Sequence, residues 1–182
     1  MKSFLAFSGE AGSGKDFIVD VLVRDYGYTR VSFSDQLKKL AVKIYPWLER
    51  DYPPEAKEKP LNIQLKNELI TKTPREVWLS LNDLRKVEDT LFVRMLEEEL
   101  ALLNVDNIVI SDIRTQNEFD WCELNGFTTV YVHNENSPHE KNSFDDFSRS
   151  LSALTYYHLT NDMCGEDFIH DFMESCIIEG KQ

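Results

Sequence analysis

The chain has 182 residues, 42% of them hydrophobic, which suits one compact domain with a substantial core and leaves no room for a second full one. Its 20 basic against 32 acidic residues give a formal charge of -12, and this argues against a broad nucleic-acid footprint because phosphate backbones are repelled. Any phosphate binding has to be local. The apolar run of Met1–Phe7 meets Ser8-Gly9-Glu10 too soon for a signal peptide or a membrane span, so a cytoplasmic protein is expected. Cys122, Cys164 and Cys176 are odd in number and lack CxxC spacing, indicating neither a disulfide framework nor a zinc site.

Short apolar runs alternate with longer segments of helical period, the pattern of an α/β domain built on a parallel sheet. In chain order, Ser3–Ser8 predicts the first strand and Thr29–Phe33 the second. A long insertion of about 34–72 follows, with a charged, proline-bearing loop from Asp51 to Pro60. Thr73-Pro74-Arg75-Glu76 then places Thr at an N-cap, Pro at the first helical position and Glu at the capping-box position, predicting a helix through about Lys86. Asp89 is positioned to cap the next helix. There Leu91, Phe92, Met95, Leu96, Leu100 and Leu103 share one face, with Glu97, Glu98 and Glu99 read as solvated. Asn107–Ser111 is the third strand. Thr115-Gln116-Asn117-Glu118 forms a second capping box, and Asn125-Gly126 ends that helix before the fourth strand, Thr128–Val132. The short turns suit a right-handed crossover. Asn134–Arg149 is polar and irregular, the composition of a lid or an ordinary loop, and Tyr156–Thr160 is a weaker fifth strand.

Two motifs carry chemistry. Gly9-Glu10-Ala11-Gly12-Ser13-Gly14-Lys15 meets the spacing GxxxxGK between a predicted strand and a predicted helix, the context that a phosphate-binding loop requires. Its glycines let backbone amides curl around an anion, the helix offers its positive end, and Lys15 reaches the outer phosphates. Asp16 stands where such loops carry a Ser or Thr hydroxyl for magnesium. A carboxylate beside phosphate oxygens is repulsive unless a magnesium ion or its bound water lies between them; Asp16 also suits the first turn of a helix simply as a negative residue. The second motif is Ser111-Asp112-Ile113-Arg114, which ends a buried strand at the sheet edge where open α/β folds bind ligands. Asp112 is the natural second carboxylate, on the metal side or as a base, and Arg114 offers a planar fork to a phosphate or base edge. Glu118 is explained by its capping box, with a substrate contact as the alternative. Asp35, Lys38 and Lys39 after the second strand, and Arg75, Arg85 and Arg94 on the middle helices, are the remaining candidates, Arg94 and Arg75 ahead of Arg85; phosphoryl transfer between two anions needs several cations.

Taken in order, SGxxGSGKD, Ser34-Asp35, Asp89 with Phe92-Val93, SDIR with Glu118, and Leu159-Thr160-Asn161-Asp162 resemble the bacteriophage-type deoxynucleoside monophosphate kinases over nearly the whole chain. The resemblance implies a three-layer P-loop kinase fold with a five-stranded parallel sheet flanked by helices. It also implies ATP with Mg2+ as donor and a deoxynucleoside monophosphate as acceptor, in the host cytoplasm if the chain is phage-encoded. The donor is then held by Gly9, Ala11, Gly12, Ser13, Gly14, Lys15, Asp16, Phe17 and, on the adenine side, Asn161. The metal falls to Asp16 and Asp112, the acceptor to Asp35, Lys38, Arg75, Phe92, Arg114 and Glu118, and catalysis to Lys15, Asp16, Asp112, Arg114 and Arg94. Phe92 stands where the family often has tryptophan, keeping a ring to stack but losing the indole N–H. The expected organisation is a single domain over 1–182, with an acceptor-binding insertion at about 34–72 and a lid at about 134–149. SGKDF with SDxR is also similar to animal-type phosphomevalonate kinases, and the layout to dephospho-coenzyme A kinases. A non-catalytic nucleotide-binding regulator is the rival of another class. The expected partners are small-molecule nucleotides, with no extended nucleic acid and no membrane, and a homodimer is compatible with the sequence.

Overall fold

A computed structural model of the chain describes residues 3–134, 143–162 and 164–179. The polypeptide forms two compact units, one of residues 1–32 with 101–182 and one of residues 33–100. The inserted unit thus runs well beyond the expected 34–72, because the helices that follow the insertion pack with it.

In the first unit, β1 (Ser3–Gly9) leads through the glycine loop into α1 (Lys15–Tyr26), and β2 (Thr29–Val31) follows. The second strand stops short of the expected Phe33, which already belongs to α2 (Phe33–Ile44) of the other unit. That unit continues with a hairpin of β3 (Ile63–Gln64) and β4 (Leu69–Ile70), then α3 (Pro74–Ser80), a 3-10 turn over Leu81–Lys86 and α4 (Leu91–Leu100). The chain returns to the first unit as β5 (Asn107–Ile110), α5 (Gln116–Leu124), β6 (Thr128–His133), α6 (Ser143–Ser152), β7 (Tyr157–Thr160) and α7 (Asp167–Glu179).

All five expected strands form one parallel sheet in the order β2-β5-β1-β6-β7. β1 sits at its centre, and the strand order reverses across it. Open sheets of this kind present their ligand crevice at such a reversal, outside the carboxyl ends of the strands, and the glycine loop leaves β1 there. The three inner strands β1, β5 and β6 read as continuous apolar runs because both their faces are covered, whereas the edge strands β2 and β7 carry exposed polar positions. On one face Leu5, Phe7, Val109, Val130 and Val132 pack against Ile18, Val19 and Leu22 of α1 and Ile169, Phe172 and Met173 of α7. The opposite face carries α5, where Phe127 stacks on Phe4 at 5.2 Å and lies 5.6 Å from Trp121.

Both capping boxes form as expected. Thr73 and Glu76 exchange side-chain and backbone bonds at the start of α3, and Thr115 and Glu118 do so at the start of α5. Gly126, at φ 75, supplies the left-handed turn after α5. α4 starts at Leu91, and its first turn closes with the Arg94 N–H donating to the Thr90 carbonyl at 3.0 Å. Not all of the α4 glutamates form a solvated face. Glu99 pairs with Lys39 at 2.6 Å and accepts from Gln36, tying α4 to α2. The inserted unit has a core of its own around Leu37, Ala41, Leu48, Val77, Trp78, Leu81 and Phe92. Among the described residues no helix is long and apolar enough to cross a membrane.

The cysteines give the fold a chemical test. Cys122 is fully buried on the inner face of α5 and burial pushes its thiol well up, Cys176 is half-buried and pushed up to about 11, and Cys164 is exposed. Thiolate is the reactive form. Brief iodoacetamide treatment of the native protein at pH 8, read by peptide mass spectrometry, should label Cys164 first and Cys122 only after denaturation.

Candidate functional site

The loop from Gly9 to Lys15 forms because three of its residues take backbone angles open to glycine. Gly9, Gly12 and Gly14 have φ of 144, 74 and 90. Gly14 is also hemmed in: a Cβ there would run into the side-chain amide of Asn161. Two asparagines from the ends of neighbouring strands hold the loop from behind. Asn161, after β7 and 2% exposed, donates to the Ser13 carbonyl at 3.1 Å. Asn134, after β6 and 5% exposed, donates to the Gly12 carbonyl at 3.5 Å. Carbonyls engaged from behind leave the peptide amides to face the other way, as an anion cradle needs.

Gly14 is the cap of α1 and offers no side chain, and the first intrahelical bond runs from Ile18 N–H to the Gly14 carbonyl at 3.1 Å. The preceding first-turn amides sit at the positive end of the helix. Lys15 curls over the loop, donating to the Gly9 and Glu10 carbonyls at 2.8 and 2.7 Å and to Ser13 Oγ at 3.1 Å. Exchange of those acceptors for phosphate oxygens keeps its ammonium satisfied. Ala11 and Phe17 are exposed at the loop tip and in the first turn of α1.

The carboxylates lie where strand ends and helix start converge. Asp112, 6% exposed just past β5, accepts from Ser32 Oγ at 2.9 Å. Asp16 is largely exposed in the first turn of α1, and its Oδ1 accepts from Arg30 of β2 at 3.2 Å. Arg30 also donates from Nε to Ser111 Oγ at 3.3 Å. The oxygen donors of Asp16 and Asp112 fit a hard divalent cation such as magnesium, which retains several waters and takes one or two carboxylates.

Arg114 is exposed beyond β5, on a turn knitted by Glu118. The Glu118 carboxylate is 1% exposed, and one of its oxygens accepts from the amides of Arg114 and Thr115 at 2.8 and 3.0 Å. Glu118 is therefore a positioning residue for the Arg114 turn; burial leaves it no open face for a substrate. Of the expected lid, residues 135–142 lie outside the described residues. Its last residue, Arg149 of α6, forms an ion pair with Glu10 of the loop.

In the inserted unit, Lys38 pairs with Asp35 at 2.8 Å and lies 5.7 Å from the Trp78 ring centroid. Arg75 pairs with Glu58, and Arg94 with Glu88 and Glu98. Phe92 corrects an expectation. It is fully buried in that unit's core, with the Arg85 guanidinium 4.7 Å over its ring, so no face is open for a base. The aromatic position reads the same in sequence whether the ring stacks on a ligand or on its own core.

Arg30, Ser32, Ser111, Asn134 and Arg149 were not singled out from the sequence. Ser111 and Arg149 lay inside segments that were read for other residues. Arg30 gives no local signal beyond a charged residue in an otherwise buried strand.

No protein-family model and no curated protein matches the chain. Solved structures do. The chain is similar to a Thermus thermophilus protein of known crystal structure at 17% identity and TM-score 0.58, over 98% of this chain and 97% of that one. It is similar to dephospho-CoA kinase from Campylobacter jejuni at 14% identity and TM-score 0.55, over 100% of both chains. It is similar to shikimate kinase from Aquifex aeolicus at 12% identity and TM-score 0.52, over 97% of this chain and 96% of that one. At these identities the likeness is one of fold: a five-stranded parallel sheet flanked by helices, as in P-loop kinases.

Two substitutions test the geometry directly. Gly14→Ala should lower stability by about 1–3 kcal/mol, the range for a residue forced into a sparsely populated backbone region, and adding Asn161→Ala should recover only the part due to the clash. Phe92→Ala should cost about 3–5 kcal/mol as a core truncation. Urea unfolding measures both, and an unchanged midpoint for Phe92→Ala would return that ring to the list of ligand contacts.

Proposed function

We propose that the chain is an ATP-dependent kinase that transfers the γ-phosphoryl group to a deoxynucleoside monophosphate, giving the diphosphate. The observation that carries this reading is the glycine loop between β1 and α1, with Lys15 over it and the Asp112 carboxylate at the adjacent strand end. In this reading the loop amides and Lys15 hold the donor phosphates, and Asn161 and Asn134 keep the loop carbonyls turned away. Asp16 and Asp112 would hold magnesium, which when bound supplies positive charge to the phosphate oxygens. Arg114 takes the acceptor side. No covalent enzyme intermediate is needed, because phosphoryl transfer proceeds by positioning and charge neutralisation.

The acceptor class comes from the sequence resemblance to phage-type deoxynucleoside monophosphate kinases. A second reading, dephospho-coenzyme A as acceptor, is favoured by the full-length fold likeness to a dephospho-CoA kinase. The two share the donor half and part at the acceptor.

A coupled ADP-release assay across the deoxynucleoside monophosphates, with dephospho-coenzyme A, mevalonate phosphate and shikimate alongside, decides between them. The expected result is acceptor-dependent turnover with one or more monophosphates; ATP consumption indifferent to every acceptor would sink the kinase reading. Lys15→Ala should lower transfer by at least about 100-fold, as loss of a principal charge-stabilising donor does, with an unchanged circular dichroism spectrum. Asp16→Asn should shift the magnesium titration of turnover to higher concentration, and an unmoved titration would leave Asp16 with only its helix-end role.

A further inference from the structure

The residue at position 16 poses an electrostatic problem that the structure answers. A hydroxyl there is neutral, whereas a carboxylate puts a full negative charge at the mouth of a loop whose amides and lysine are arranged for an anion. At short range such a charge opposes phosphate binding.

Arg30 lies opposite. It sits in the middle of the three residues of β2, in register with Val109 of β5. Val109 packs on the α1 face of the sheet, so Arg30 leaves the sheet on that same face. Its guanidinium is held at two points, by Nε on Ser111 Oγ at 3.3 Å and by Nη2 on Asp16 Oδ1 at 3.2 Å. The side chains of Arg30 and Asp16 are 40% and 80% exposed. Pairs this open contribute little to folding, so stability does not explain the arrangement; its position beside the anion-binding loop does.

We infer that Arg30 is the counter-charge and positioning residue for Asp16, cancelling its field toward the donor phosphates while aiming it at the metal side of the loop. The inference rests on the ATP-binding half of the proposed function and adds a residue to it.

The test is calorimetric ATP binding, with and without Mg2+, to the wild type, Arg30→Gln, Arg30→Lys, Asp16→Ser and the double variant Arg30→Gln/Asp16→Ser. Arg30→Gln should weaken magnesium-free ATP binding by about fivefold at low salt, the order expected for one charge near the surface, and weaken Mg·ATP less. Arg30→Lys should restore most of the loss. In the Asp16→Ser background, Arg30→Gln should leave the Mg2+ dependence unmoved, and the double variant, which loses one charge of each sign, should bind magnesium-free ATP about as the wild type does. A double variant as weak as Arg30→Gln alone would make Arg30 a direct phosphate contact and overturn the proposal, as would no weakening by Arg30→Gln in the wild-type background. Thermal melts followed by circular dichroism check that each variant folds. Transfer activity is read in parallel: the expected binding pattern without transfer would remove the kinase reading and leave Arg30 its role, and no ATP binding by the wild type would end both.

Discussion

The site depends on one backbone constraint: a loop must leave the central strand, reverse its peptide groups and enter a helix within a few residues. Three glycines at positive φ make the path available, and buried asparagines from two neighbouring strands fix it. The Asn161 amide does two jobs at once. It satisfies the Ser13 carbonyl and occupies the space where a side chain at position 14 would lie. Because the loop's outer carbonyls are engaged from behind, the cradle is set by the sheet itself and not by whatever it binds. Pre-organised donors of this kind act on charge without reorganising when it arrives.

The same sheet edge sorts the polar groups by depth. Asp112 is buried and held by Ser32, whereas Asp16 is open and held by Arg30. A buried carboxylate is restrained by its surroundings, and an exposed one needs a partner to set its direction. Ser32 and Ser111, each one residue past the end of its strand, and Arg30 within β2 supply the restraint for both.

Much of this was legible in the sequence where the determinants are local. The inner strands β1, β5 and β6 announce themselves as apolar runs because parallel strands are covered on both faces, and Thr73/Glu76 and Thr115/Glu118 announce helix starts because a capping box is complete within four residues. The phosphate-binding loop is legible for the same reason. Elements fixed by distant contacts were not. The β3–β4 hairpin has two residues per strand, too few for any alternation to register. The bond from Asn161 to Ser13 spans 148 positions and that from Arg30 to Asp16 spans 14, so neither leaves a pattern in a local window. Phe92 shows the converse failure, since an aromatic in the expected place says nothing about which way its ring faces.

The two units differ in how their charges are used, and this bears on why the glycine loop is easier to read from sequence than the inserted unit. In the first unit, Lys15 is held by backbone carbonyls and a hydroxyl, neutral partners that phosphate oxygens can replace without separating an ion pair. In the inserted unit the cations sit on carboxylates: Lys38 on Asp35, Lys39 on Glu99, Arg75 on Glu58 and Arg94 on Glu88 and Glu98. An anion can engage these cations only by displacing a carboxylate from each, so what the unit could bind depends on which pair gives way. A glycine loop is a property of backbone written in consecutive letters, whereas pairs such as Lys39 with Glu99 and Arg75 with Glu58 join residues far apart in the chain and leave no local pattern.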